Sequence, residues 1–373
     1  LPNAYTPGLT VSADIVVRRI RRLPIKGEVL APQGSDVNPD TVIARAMLPG
    51  NLQTFKLAEK MGIDAHDIAT LSPIKVGQSL KAGEHIYETK GLFGMFKQQI
   101  ISEHTGTVES ISEVTGNALI REPSIPIEIN AYVKGTLVEI MPQEGGIVEA
   151  RCAMIQGIFG VGGERTGFIR VATKSSSELL EASMILDTDA GKILVGGSGV
   201  SYEAIGKASS IGVKGIIVGG LRDSDLTQFL GYEIGVAITG SEAINLTIFV
   251  TEGFGYLSMA DRTFKLLQSL EGKEASINGA TQIRAGVIRP ELLVPLSTDA
   301  RAQSVASQVF ELVNGAPIRI IREPYFGKLG SVTGLPSQLV KLESGTEVRV
   351  LTAKLASGEE VTVPRANVEI IAT

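Results

Sequence analysis

Between residues 192 and 252, short β-branched apolar runs at 193–195, 216–218, 236–238 and 248–250 alternate with stretches of helical spacing and glycine turns. Strand, helix, strand, repeated, predicts a mostly parallel sheet with helices packed on its faces. The flanks carry another cadence. Over 76–90 (VGQSLKAGEHIYETK) and 104–120 (HTGTVESISEVTGNALI) strand-length runs pass through glycine turns into further strands, and 131–172 repeats the phrase. A short helix is predicted from about 57 to 61, with Asp64 placed to cap a second turn. Helices are also expected near 260–270 and at 301–313, the latter with an apolar stripe of Val305, Val309, Phe310 and Leu312.

These patterns divide the chain into an N-terminal arm (1–17), a β-rich region (18–172), an α/β domain (173–300), a connecting helix (301–315) and a small β-module (316–373). A length of 373 residues agrees, since it exceeds one ordinary core. Hydrophobic residues at 43% and charged residues at 20% give a globular balance, and no apolar run approaches the length of a membrane helix. The start, LPNAYTPGLTVSADIVV, lacks the pattern of a secretory signal. The single cysteine, Cys152, excludes an intrachain disulfide and fits a reducing cytoplasm, which is the expected location.

Four clusters are candidates for chemistry. Arg18, Arg19, Arg21 and Arg22, set beside a strand expected to start near Ile25, could grip a phosphate or an acidic partner, or could mark the solvated side of a strand or the rim of an interface. The run GIFGVGGERTG offers Gly160, Gly162, Gly163 and Arg165 as an anion cradle. A phosphate loop should open a helix, however, and a strand follows here, so a tight β-corner or subunit contact is the competing reading. Thr251 and Glu252 lie at the expected C-terminal end of a strand, where open α/β sheets bind ligands. If the fold brings Asn278, Gln282, Arg284 and Arg289 to that edge, a small anion could be held; otherwise these groups tie loops together. Fourth, Arg319, Arg322, Tyr325, Phe326 and Lys328 could form a basic and aromatic face.

His66, His85 and His104 have no ligand spacing, and no serine sits in a nucleophile turn, so no metal, cofactor or catalytic residue is assigned. A net charge of −5 gives no global attraction to phosphate backbones.

Several stretches resemble known modules. The two glycine-cornered phrases resemble the halves of a barrel-sandwich hybrid, the β-module of biotinyl and lipoyl carriers, over at most residues 20–140. Lys90 and Lys97, in ETKGLFGMFKQQ, lack the neighbours of a carrier lysine, so the module is read as structural. Residues 201–219 (SYEAIGKASSIGVKGIIVG) resemble the core of the phosphohistidine swivelling domain, with Tyr202 where the histidine would stand. That likeness implies fold alone. Residues 314–371 resemble a KOW-type SH3-like barrel, on Ile318-Arg319-Ile320, Pro324-Tyr325-Phe326-Gly327, Gly330-Ser331-Val332 and 361–369. The whole chain resembles bacterial proteins with this order of modules.

The expected fold is therefore multidomain α/β plus β: barrel-sandwich-hybrid-like modules, a central parallel-sheet α/β domain and a C-terminal SH3-like (KOW) barrel. KOW barrels often contact RNA, the ribosome or RNA polymerase. With seven Lys/Arg against six Asp/Glu over 316–373, though, the barrel is close to neutral, and protein contact is the better expectation. The leading functional reading is a non-catalytic scaffold or binding protein that forms homo-oligomers, as rings or filaments, or docks protein partners, away from membranes. A nucleic-acid-associated factor using the C-terminal barrel comes next. An enzyme or sensor for a small anion at the α/β edge comes third.

Overall fold

The computed structural model describes residues 9–88, 99–233, 239–240, 242–282, 288–296, 312–320, 322, 324–325, 327–336, 338–341 and 347–370. The connecting helix expected over 301–315 falls largely outside these residues, as do the apolar turn 91–96, Lys90, Lys97, Arg284 and Phe326.

A mixed sheet of eleven strands forms the centre. Four neighbours, Arg165–Val171, Lys192–Val195, Gly215–Leu221 and Thr247–Phe254, run parallel, as the sequence pattern predicts. Helices Tyr202–Ile211 and Asp223–Leu230 cover one face; Asp261–Ser269 covers the other. Alternation decides which residue meets which layer. Ile216 and Val218 pack with Ala204, Ile205 and Leu226, whereas Ile217 and Phe249 pack with Phe264 and Leu267. Being covered on both faces, Gly215–Leu221 is buried throughout. The Tyr202–Ile211 helix begins where the Ser201 hydroxyl accepts from the Ala204 amide at 3.2 Å and ends at left-handed Gly212.

The sheet continues beyond the parallel strands. Phe159–Val161 adds antiparallel to Thr247–Phe254, while Glu274–Asn278, Glu291–Pro295, Gly145–Gln156, Gly135–Met141 and Asp36–Val37 extend the other side. The expected boundary at 172 therefore cuts through one sheet. Strands on either side of it pair directly: Arg165–Val171 with Lys192–Val195, and Gly145–Gln156 with Glu291–Pro295. A sequence pattern gives the alternation of each strand but not its neighbour, which is why the β-rich and α/β stretches read as separate units.

Nor is residue 11 onward an arm. Val11–Arg22 is a twelve-residue strand, paired antiparallel with Gly145–Gln156 from Val11–Ile155 to Arg22–Gly145. Glu149 pairs with both Arg18 and Thr136, and Cys152 with both Ile15 and Pro295. A strand residue has two sides, so Val11–Arg22 lies opposite both of those neighbours. Among the described residues no strand pairs with its far edge.

The region 28–130 holds a four-stranded sheet (Leu52–Phe55, Ala118–Arg121, Gly106–Ile111, Ser79–Leu80) and a three-stranded one (Ile125–Asn130, Val42–Leu48, Glu28–Val29). The first packs on its own core around Phe55, Leu57, Ile68 and Ile120. The short helix is found at Leu57–Met61, and Asp64 precedes a 3-10 turn without capping it through its side chain. A six-stranded C-terminal sheet spans Pro317–Ile320 to Val368–Ile370 around Ile318, Leu351 and Val363. No helix among the described residues is long and apolar enough to cross a membrane.

Candidate functional site

The C-terminal end of Thr247–Phe254 is where the sequence places a ligand, and two residues assigned to different sites meet there. Glu252, 7% exposed, and Arg319, 3% exposed, form an ion pair at 2.7 Å. The other Glu252 oxygen accepts from the Ala260 amide at 3.1 Å, at the head of the Asp261–Ser269 helix. Arg319 belongs to Pro317–Ile320 of the C-terminal sheet, so this pair joins that module to the central sheet. Next to it the backbones touch: a Cβ on Gly253 would lie 2.6 Å from the Gly327 carbonyl oxygen. Thr251 is buried and its hydroxyl donates to the Val218 carbonyl at 3.3 Å.

The anion clamp expected with Glu252 does not assemble there. Asn278 pairs opposite Glu291, and its side-chain oxygen accepts from the Ala280 amide at 2.9 Å. Gln282 bridges to Ile288, with Arg289 following. This turn packs through Gly279 on Gly162, beside Thr247, and Thr247 stands about 17 Å along the strand from Glu252 at an ordinary rise per residue.

The glycine-rich corner uses its amides within the chain. Gly160 donates to the Thr281 hydroxyl at 2.9 Å, and Gly162 to the Glu242 carboxylate at 2.8 Å; that carboxylate also receives the Gly240 amide. The Gly163 carbonyl accepts from the Thr247 hydroxyl at 2.7 Å, and Arg165 donates to the Ile244 carbonyl. A side-chain carboxylate thus occupies the place where a phosphate would sit, and burial lowers the Arg165 pKa instead of a bound anion raising it. This is the tight β-corner reading.

The arginine cluster is likewise matched, residue by residue. Arg18 meets Glu149 at 2.8 Å, Arg22 meets Glu144 at 2.6 Å, and Arg19 grips Glu291 with two nitrogens. Arg21, 6% exposed, forks onto both oxygens of Glu164 at 2.6 and 2.7 Å, donates to the Asn130 carbonyl at 2.6 Å and lies over the Tyr132 ring. On the same strand Asp14 takes a two-pronged bond from Arg151. In the C-terminal module Tyr325 packs on the core with Lys328 5.2 Å above its ring, and Arg322 is half-buried.

Sequence reasoning missed two features. Leu221 and Phe254 end neighbouring parallel strands in register, and just past them Arg222 stacks 4.5 Å over the Tyr256 ring while forking onto Asp225, whose carboxylate accepts from the Tyr256 hydroxyl at 3.2 Å. Burial, then the Asp225 charge, raises the Tyr256 pKa. The readable signal was an Arg-x-x-Asp pair straight after a strand. The second is Tyr132, buried beside Arg21 with φ at +70°, a conformation costly for a non-glycine residue. No sequence signal marks it. Among the described residues no group of three or more His, Cys, Asp and Glu side chains could hold a metal ion.

Comparison with models of known protein families finds no match, and comparison with curated proteins finds none either.

Proposed function

We propose that this protein is a non-catalytic scaffold, cytoplasmic, that self-assembles or docks partner proteins through its β-modules. The observation that carries the reading is the Glu252–Arg319 pair. A carboxylate at the ligand-binding end of the sheet and an arginine of the C-terminal barrel are spent on each other, holding module to module. The arginines of Val11–Arg22 are spent in the same way on carboxylates, which weighs against a phosphate-backbone role. What stays exposed is apolar: Met47, Leu48 and Ile125 at one end of a strand pair, with Val16 and Ile20 on the N-terminal strand. Exposed apolar groups gathered on β-edges mark protein contacts. Mass photometry of the purified chain, with and without nuclease, tests this. Uniform assemblies that survive nuclease support it; nuclease-sensitive ones favour the nucleic-acid reading.

A second reading, a sensor or enzyme for a small anion, has one specific support: the Arg222–Asp225–Tyr256 group stands at the C-terminal ends of adjacent parallel strands. A ligand-induced thermal shift that Arg222→Ala abolishes would favour it.

A further inference from the structure

We propose that the outer edge of Val11–Arg22 pairs antiparallel with the same strand of a second copy, about a twofold axis at Val17. The inference rests on the scaffold reading and names the surface and partner it needs. Long edge strands ordinarily carry proline, lysine or a covering element that prevents such pairing. This strand has neither residue, runs for twelve residues, and among the described residues no strand lies on its outer edge. Its carbonyls are engaged only locally at two points: Val11 accepts from Arg262 at 2.9 Å, and Arg18 from the neighbouring Arg19 side chain at 3.0 Å. A carbonyl oxygen can accept twice. The bulge between Ser12 and Ile15 closes the regular stretch at its start.

Charge selects the register. About a twofold axis normal to the sheet, residues on the same face oppose one another, and their numbers add to a constant even value. An axis at Arg18 or Arg19 sets that arginine against its own copy, and an axis at Ile20 sets Arg18 against Arg22. Like charges directly opposite are destabilising. An axis at Val17 opposes Val17 to Val17, Val16 to Arg18 and Ile15 to Arg19, so no two arginines face each other. Val16 and Ile20, 55% and 64% exposed, would then lie on one face of a continuous two-copy sheet.

Residues 16 and 18 have exposed side chains, and Cys152 is fully buried, so single cysteines placed there read the register directly. Directly opposed Cβ atoms approach to disulfide range. Val16→Cys and Arg18→Cys proteins, mixed and mildly oxidised, are expected to cross-link to each other in preference to themselves. Val16→Lys with Ile20→Lys is expected to abolish the dimer in mass photometry while leaving the melting temperature unchanged. Preferential Arg18→Cys self-cross-linking would overturn the proposal by placing the axis at residue 18. Assembly undiminished in the double-lysine protein overturns it but leaves the scaffold reading standing. A wild-type chain that stays monomeric overturns both.

Discussion

Glu252 and Arg319 are 67 positions apart, and no local pattern connects them. Each is readable alone as a polar group in a suggestive place; the ion pair exists only once the C-terminal sheet docks. Removing one partner leaves a buried charge, so Arg319→Met should cost about 3–5 kcal/mol by thermal or urea unfolding. Adding Glu252→Gln should return part of that loss, in a double-mutant cycle with substantial coupling. Additive losses would mean the pair is not a unit.

Other single groups set the pH limits. The hydrogen bond from Arg151 holds the Asp14 carboxyl below its ordinary value. A depressed carboxyl contributes stability that is present above its unfolded pKa and is lost as pH falls through the lower folded value, so the N-terminal strand should loosen below about pH 4. At the other extreme burial pushes the Cys152 thiol up to about 12 and raises the Tyr132 hydroxyl well above its usual value. Both groups fold in their protonated forms. Their contribution is complete below the unfolded thiol pKa of about 8.5 and drains as pH rises toward the folded values. Cys152 should resist thiol reagents at pH 8 in the native protein and react on unfolding; rapid native labelling would contradict its burial.

At the scale of elements the sequence is most legible where periodicity is local. The parallel strands, the Leu57–Met61 helix and the helix expected over 260–270, found at Asp261–Ser269, all follow from runs a few residues long. The N-terminal strand was not legible as a whole. Its first half, with Asp14 and a bulge between two apolar stretches, has no clean alternation, and its partner lies more than a hundred residues away. The glycine-rich corner shows the same limit from the other side. Its composition suits an anion, and only the fold reveals that Glu242 supplies the negative charge. Closeness between elements makes its own prediction. A methyl group on Gly253 would meet the Gly327 carbonyl oxygen at 2.6 Å, and neither is the end of a flexible side chain. Gly253→Ala should therefore cost about 1–3 kcal/mol through overpacking. It should also make the linker before the C-terminal sheet cut faster in limited proteolysis, with the central sheet intact.

For the whole molecule, one sheet from residue 11 to 295 ties the β-rich and α/β stretches into a single body, and the C-terminal sheet is pinned to it by a buried ion pair. Docking of this kind gives rigid geometry, which a scaffold needs in order to repeat one contact many times. The account stands most directly on mass photometry of the nuclease-treated wild-type chain from nanomolar into the micromolar range. It predicts dimers or larger uniform species that grow with concentration and persist without nucleic acid. A single monomer peak throughout would contradict it.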